Sequence, residues 1–131
     1  MTEQHQSRVV EVSFEVLEWD ESVYEEPTEG PRMSRVSIRK RYRGALDGTG
    51  TGVVLTAGGT TGGGYVVSER FEGALDGHHG TFVLQHGGLA DGSERRTYGT
   101  VVPTSGTGQL TGIASRSVEF EHGLLRLEYV L

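Results

Sequence analysis

Apolar and polar residues alternate in short runs along most of this chain, and no window carries a convincing 3.6-residue apolar period. That period-two pattern restricts the fold to strands with one buried face. Residues 9–19 (VVEVSFEVLEW) place Val10, Val12, Phe14 and Val16 on one side, and Leu17 and Trp19 then switch parity, as at a bulge or strand end. Residues 35–43 (RVSIRKRYR) set Val36, Ile38, Lys40 and Tyr42 against Arg35, Ser37, Arg39, Arg41 and Arg43. Further strands are expected near 52–57, 64–72, 80–87, 95–102, 109–115, 117–122 and 124–130. Turn signals separate these runs about every ten residues, as in an antiparallel meander. The chain has 21 glycines in 131 residues, about twice the usual share of ~7%, without a collagen-like period. An all-β fold with many turns follows: a small, closed antiparallel barrel of about eight strands. Closure has the advantage of removing exposed sheet edges.

The length suits a single domain, 1–131. The polar residues 1–8 are expected to form a flexible N-terminus. Residues 20–34, acidic and containing Pro27 and Pro31, are expected to form a surface loop. The chain lacks cysteine, which excludes thiolate chemistry and a disulfide framework. No apolar run reaches membrane-spanning length, so the expectation is a cytoplasmic protein without a membrane partner. A net charge of −6 argues against nucleic acid as a partner.

The pentapeptide GALDG occurs twice, at 44–48 and 73–77. Asp-Gly favours a two-residue hairpin turn. A turn at Asp47-Gly48 sets Tyr42 opposite Val53 and Lys40 opposite Leu55. In the second copy the turn falls at Asp76-Gly77 or Gly77-His78. Any even loop there puts Tyr65, Val67, Glu69 and Phe71 on one face with Phe82, Leu84 and His86; an odd loop separates them.

Three ionisable groups then share an apolar interior: Lys40, Glu69 and His86. Buried charges pair or neutralise. Lys40 with Glu69 is a natural ion pair, and a histidine beside a carboxylate can act as acid or base near neutral pH. These three are the candidate catalytic residues, and a satisfied internal ion-pair network is the alternative. Trp19, Tyr42, Tyr65, Phe71, Phe82, Leu84 and Tyr98 are candidates for the walls of a ligand site. His78, His79, His86 and His122 form no metal-binding spacing, DGTGTG (47–52) lacks the lysine and helix of a phosphate loop, and no G-x-S-x-G elbow occurs. No metal or other cofactor is expected. The arginines opposite Lys40 are expected to form a solvated outer face that meets glutamates such as Glu11 and Glu15.

The segments FEVLEWDE (14–21), RKRYRGALDGTGTG (39–52), ERFEGALDGHHGTFVLQHGG (69–88) and VVPTSGTGQLTGI (101–113) resemble a bacterial family known only as a domain of unknown function. Its members have the allene oxide cyclase barrel-like fold. The resemblance spans nearly the whole chain, implies a small antiparallel barrel, and makes a homo-oligomer, dimer or trimer, the expectation. It carries over no activity and no catalytic residue. Three functions stay open: binding of a small apolar molecule inside the barrel, cofactor-free cyclase or isomerase chemistry on a polyketide- or lipid-like substrate, and a non-catalytic interaction protein with a filled core.

Overall fold

The computed structural model describes residues 6–131. Its eight strands are β1 (Arg8–Glu25), β2 (Arg32–Arg43), β3 (Leu46–Gly58), β4 (Gly62–Leu75), β5 (His78–Asp91), β6 (Glu94–Val101), β7 (Ala114–Glu121) and β8 (Leu124–Val130), with one 3-10 turn at Gly108–Leu110. All pair antiparallel, in the order β6-β5-β4-β3-β2-β1-β8-β7. The two terminal strands meet, which makes the sheet a nearly closed barrel. Side chains bridge this seam at one end: the Val101 amide donates to Ser115 Oγ at 2.7 Å, and Thr100 Oγ1 lies 3.2 Å from the same hydroxyl. Among the described residues no helix is long and apolar enough to cross a membrane.

Strand β2 illustrates the alternation. Ser34, Val36, Ile38, Lys40 and Tyr42 are buried, while arginines face out. The outer arginines find carboxylates on β1, with Arg43 2.6 Å from Glu15 and Arg39 3.1 Å from Glu18. The β4–β5 hairpin turns at Asp76-Gly77, both at positive φ (48° and 85°). This two-residue loop places Phe71 opposite Phe82, Val67 opposite His86 and Glu69 opposite Leu84. The even-loop arrangement is the one that forms.

The first GALDG copy behaves differently from expectation. Asp47 and Gly48 lie within β3, and the chain reverses at Gly44-Ala45, with Gly44 at φ 131°. Tyr42 therefore pairs with Gly48, Lys40 with Gly50 and Ile38 with Gly52. Val53 and Leu55 move to the outer face, and Leu55 is exposed. The reason lies in the second copy. The two pentapeptides run antiparallel against each other, Leu46 opposite Leu75, Asp47 opposite Ala74 and Gly48 opposite Gly73, and the Asp76 amide donates to the Ala45 carbonyl at 2.7 Å. Both leucines are fully buried. A Cβ on Gly73 would lie 2.2 Å from the Asp47 carbonyl oxygen, so the copies approach too closely for a side chain there.

Two further expectations are corrected. Residues 20–34 are mostly strand: β1 continues to Glu25 and β2 begins at Arg32, leaving 26–31 as the connection. Cross-strand pairing, including Glu18–Arg39, continues β1 past the point where β8 stops pairing with it, while β2 stays paired with β3 from Arg32 to Tyr42. Residues 109–115 are no strand of their own. The connection from 102 to 113 instead lies along the first half of β5, where the Thr107 amide donates to Thr81 O at 2.9 Å and the Val83 amide donates to Ser105 Oγ at 3.0 Å. It covers an edge that β6 leaves unpaired and plugs the barrel end with buried Leu110 and Ile113. Of the expected N-terminal segment 1–8, residues 1–5 lie outside the described residues, and Arg8 already begins β1.

The core divides into two clusters. The larger fills the plugged end around Tyr42, Leu46, Phe71, Leu75, Phe82 and Leu84. The smaller, Val36, Ile38, Val54 and Val67, sits toward the other end, with Tyr65 packed against it. Lys40, Glu69 and His86 occupy the layer between them.

Candidate functional site

Lys40 comes from β2, Glu69 from β4 and His86 from β5, each at an inward position of an alternating strand. They are 6%, 1% and 5% exposed. Glu69 is the hub. Its Oε1 accepts from Lys40 Nζ at 3.0 Å and from His86 Nε2 at 2.9 Å, and its Oε2 accepts from the Tyr42 hydroxyl at 2.8 Å. The carboxylate thus takes three donors, as a buried charge requires. The Lys40 ammonium also lies over two rings, 4.8 Å from the Phe14 centroid and 4.4 Å from Phe120. The imidazole of His86 stacks on Phe120 at 3.9 Å.

Space for the carboxylate is made by the neighbouring strand. A Cβ on Gly50 would stand 2.2 Å from Glu69 Oε2, and one on Gly52 would stand 2.7 Å from Glu69 Cβ. The glycines of the DGTGTG segment therefore provide volume for an acid.

The protonation pattern follows from these contacts. Burial disfavours the charged imidazole of His86; the hydrogen bond to Glu69 opposes this, and the Lys40 charge reinforces it. The balance leaves His86 below its ordinary value, neutral at pH 7. Burial alone would raise Glu69, but the His86 hydrogen bond, the Lys40 charge and the Tyr42 hydroxyl outweigh it and hold the carboxyl below its usual range. Tyr42 is pushed well above its ordinary value by burial and by the Glu69 charge, so its hydroxyl stays a donor. Neutral His86 donates through Nε2, which leaves Nδ1 unprotonated. That atom is the one buried polar side-chain atom without a hydrogen-bond partner among the described residues.

A cavity of about 660 Å³ opens at the end away from the plug, where β6 and β7 diverge. Its walls include Thr56, Tyr65, Gly88, Ala90, Thr97 and Phe120. Phe120 is shared: one side of its environment is the cavity, and the other is the stacked His86 and the Lys40 ammonium. Small residues at inward positions of β5 leave the void open. Tyr65 lies across Gly88, where a Cβ would meet its ring at 2.7 Å.

The candidate wall residues separate into three sets. Tyr65 lines the cavity. Tyr42, Phe71, Phe82 and Leu84 are fully buried in the plugged end, where they pack on one another; Phe71 and Phe82 centroids lie 5.1 Å apart. Trp19 and Tyr98 are 57% and 50% exposed. Trp19 sits opposite Ile38 on the part of β1 that runs beyond β8, and Tyr98 covers Gly87 on the outside of the sheet. Phe120 and Phe14 are not among the site candidates that the sequence offers. Their signal was present: Phe120 alternates with Val118, and Phe14 with Val12 and Val10.

Comparison with known proteins follows the same lines. A family model described as "Protein of unknown function (DUF3224)" matches residues 10–125. A crystal structure of a protein of unknown function from the DUF3224 family of Shewanella oneidensis MR-1 is 30% identical. It superposes with a TM-score of 0.81, over 95% of this chain and 96% of that one. No curated protein matches.

Proposed function

The chain belongs to the DUF3224 family of proteins of unknown function, so its role has to come from its own site, and we propose that the barrel binds a small, largely apolar molecule in the cavity at its open end. The observation that carries this reading is the 660 Å³ void walled by Tyr65 and Phe120. Its volume falls within the ~300–1,000 Å³ of small-molecule sites. The buried ion pair beneath Phe120 holds that ring from behind and gives the floor a fixed shape. Mass spectrometry of small molecules that co-purify with the native chain tests the reading. Ala90→Leu and Thr97→Phe, which fill the void from β5 and β6, are expected to abolish co-purification while leaving the melting temperature within a few degrees. Ligand retained at full occupancy by both filled variants refutes the site.

A second reading, cofactor-free cyclase or isomerase chemistry, is favoured by the unpartnered Nδ1 of His86. With Nε2–H held by Glu69, Nδ1 is the free base, and the adjacent carboxylate stabilises the imidazolium formed when it takes a proton. The Phe120 ring has to move aside for a substrate to reach it. Under this reading Glu69→Gln and His86→Ala abolish turnover and keep part of the ligand affinity. Full activity of both variants on an identified substrate removes it.

A further inference from the structure

The inward face of β6 runs from the buried layer to the rim. Its register sets Val101 opposite Leu84, Gly99 opposite His86, Thr97 opposite Gly88 and Arg95 opposite Ala90. Val101 and His86 point into the core, so Gly99, Thr97 and Arg95 follow on the same face. Arg95 is therefore the charged side chain that the alternation aims at the cavity mouth. The other charged residues around the cavity, Arg96, Glu119 and Glu121, sit at the opposite parity of β6 and β7. Among the described residues Arg95 has no carboxylate within the 4.0 Å of an ion pair, whereas Glu121 lies 3.4 Å from His122. Below Arg95 the wall is Thr97, Thr56 and Tyr65, whose phenol is raised above its ordinary value by burial and by nearby Tyr98 and so remains a donor. Deeper still is the apolar face of Phe120.

Polarity along this wall is graded: a free guanidinium at the rim, hydroxyls next, an aromatic ring at the floor. We infer that the cavity takes an amphipathic monoanion, a carboxylic acid with an aryl or alkyl body, its carboxylate on Arg95 and its apolar end against Tyr65 and Phe120. This rests on the cavity-binding reading and adds the ligand's charge and orientation. Guanidinium matches a carboxylate in a two-pronged geometry that a neutral hydroxyl cannot use.

The test is calorimetric titration of the full chain with 4-phenylbutanoate and with 4-phenyl-1-butanol, which share a body and differ in the charged end. The acid is expected to bind about tenfold more tightly or better. Its advantage is expected to shrink as salt is raised from about 0.05 to 0.5 M, because the mouth is partly open to solvent. Arg95→Met removes the difference and leaves alcohol binding intact; Arg70→Met, on the outer face of β4, changes neither. Equal affinity for acid and alcohol in the native chain overturns the inference and leaves cavity binding standing. So does an acid preference that survives Arg95→Met. Failure of both compounds to bind, with alkyl acids and alcohols of similar length also silent, overturns the cavity reading itself.

Discussion

Removing Lys40 and removing Glu69 are predicted to have unlike consequences, because only one loss can be repaired by a proton. At 3.0 Å and an effective dielectric constant of about 20, the attraction between the two charges is about 5.5 kcal/mol, much of it offset by their desolvation. Glu69→Gln strands an ammonium in the interior, and the expected cost is ~3–5 kcal/mol, or roughly 10–20 °C in melting temperature for a chain of this size. Lys40→Met leaves a carboxylate that still receives Tyr42 and His86. With the Lys40 charge gone, the largest remaining influence on His86 besides burial is the Glu69 carboxylate, which raises its pKa. In the native chain His86 is depressed, so its contribution to stability is present above about pH 6.5 and is lost as pH falls. In Lys40→Met the depression is relieved, because the ammonium no longer opposes the Glu69 carboxylate, so less of the His86 contribution is lost as pH falls. Each unit of upward shift is worth about 1.4 kcal/mol. The assay is thermal unfolding followed by far-ultraviolet circular dichroism from pH 8 to pH 5.5. The deficit of Lys40→Met relative to native is expected to narrow by several degrees on acidification, while that of Glu69→Gln does not. A Lys40→Met deficit that is flat or widens across this range refutes the proposed charge balance.

Three other outcomes follow from the same geometry. Gly50→Ala drives a Cβ into the Glu69 carboxylate and should cost several kcal/mol by chemical denaturation, whereas Gly58→Ala, with no atom within 4 Å, should stay within about 0.5 kcal/mol. Leu46→Ala and Leu75→Ala, facing each other in the paired pentapeptides, should each cost ~2–5 kcal/mol, and the double variant should cost measurably less than the sum. Tyr129, pushed up to about 12 mainly by burial and by its hydrogen bond to Asp76, should ionise late in an absorbance titration. Because its folded value exceeds the unfolded value near 10, stability should decline from about pH 10 upward.

The parity of β2, β4 and β5 was legible because each alternates over eight or more residues, and the Asp76-Gly77 turn fixes the register between the latter two. That brought Lys40, Glu69 and His86 together on paper. The β2–β3 register was not legible, because local turn chemistry favoured Asp47-Gly48 and the deciding contact, with the other GALDG copy, lies about thirty residues away. Segment 20–34 escaped for a related reason: its strands are fixed by ladder pairing across the sheet, and acidic residues beside prolines read as a loop. The cavity was invisible in principle, since a void arises from what Gly88 and Ala90 lack and from where β6 and β7 part. For the same reason, Phe71 and Phe82 were expected to line a site and instead fill the plugged end.

The glycines beside Glu69 tie two positions together across generations of sequence. In this geometry a methyl group at position 50 collides with the carboxylate of the acid on β4 and pushes it off the donors that hold it. The two sites are expected to covary: relatives with alanine or larger at the position of Gly50 should have abandoned the acid, and relatives that retain the acid should be bare there. An alignment of the family would read this dependence directly, without any protein being made.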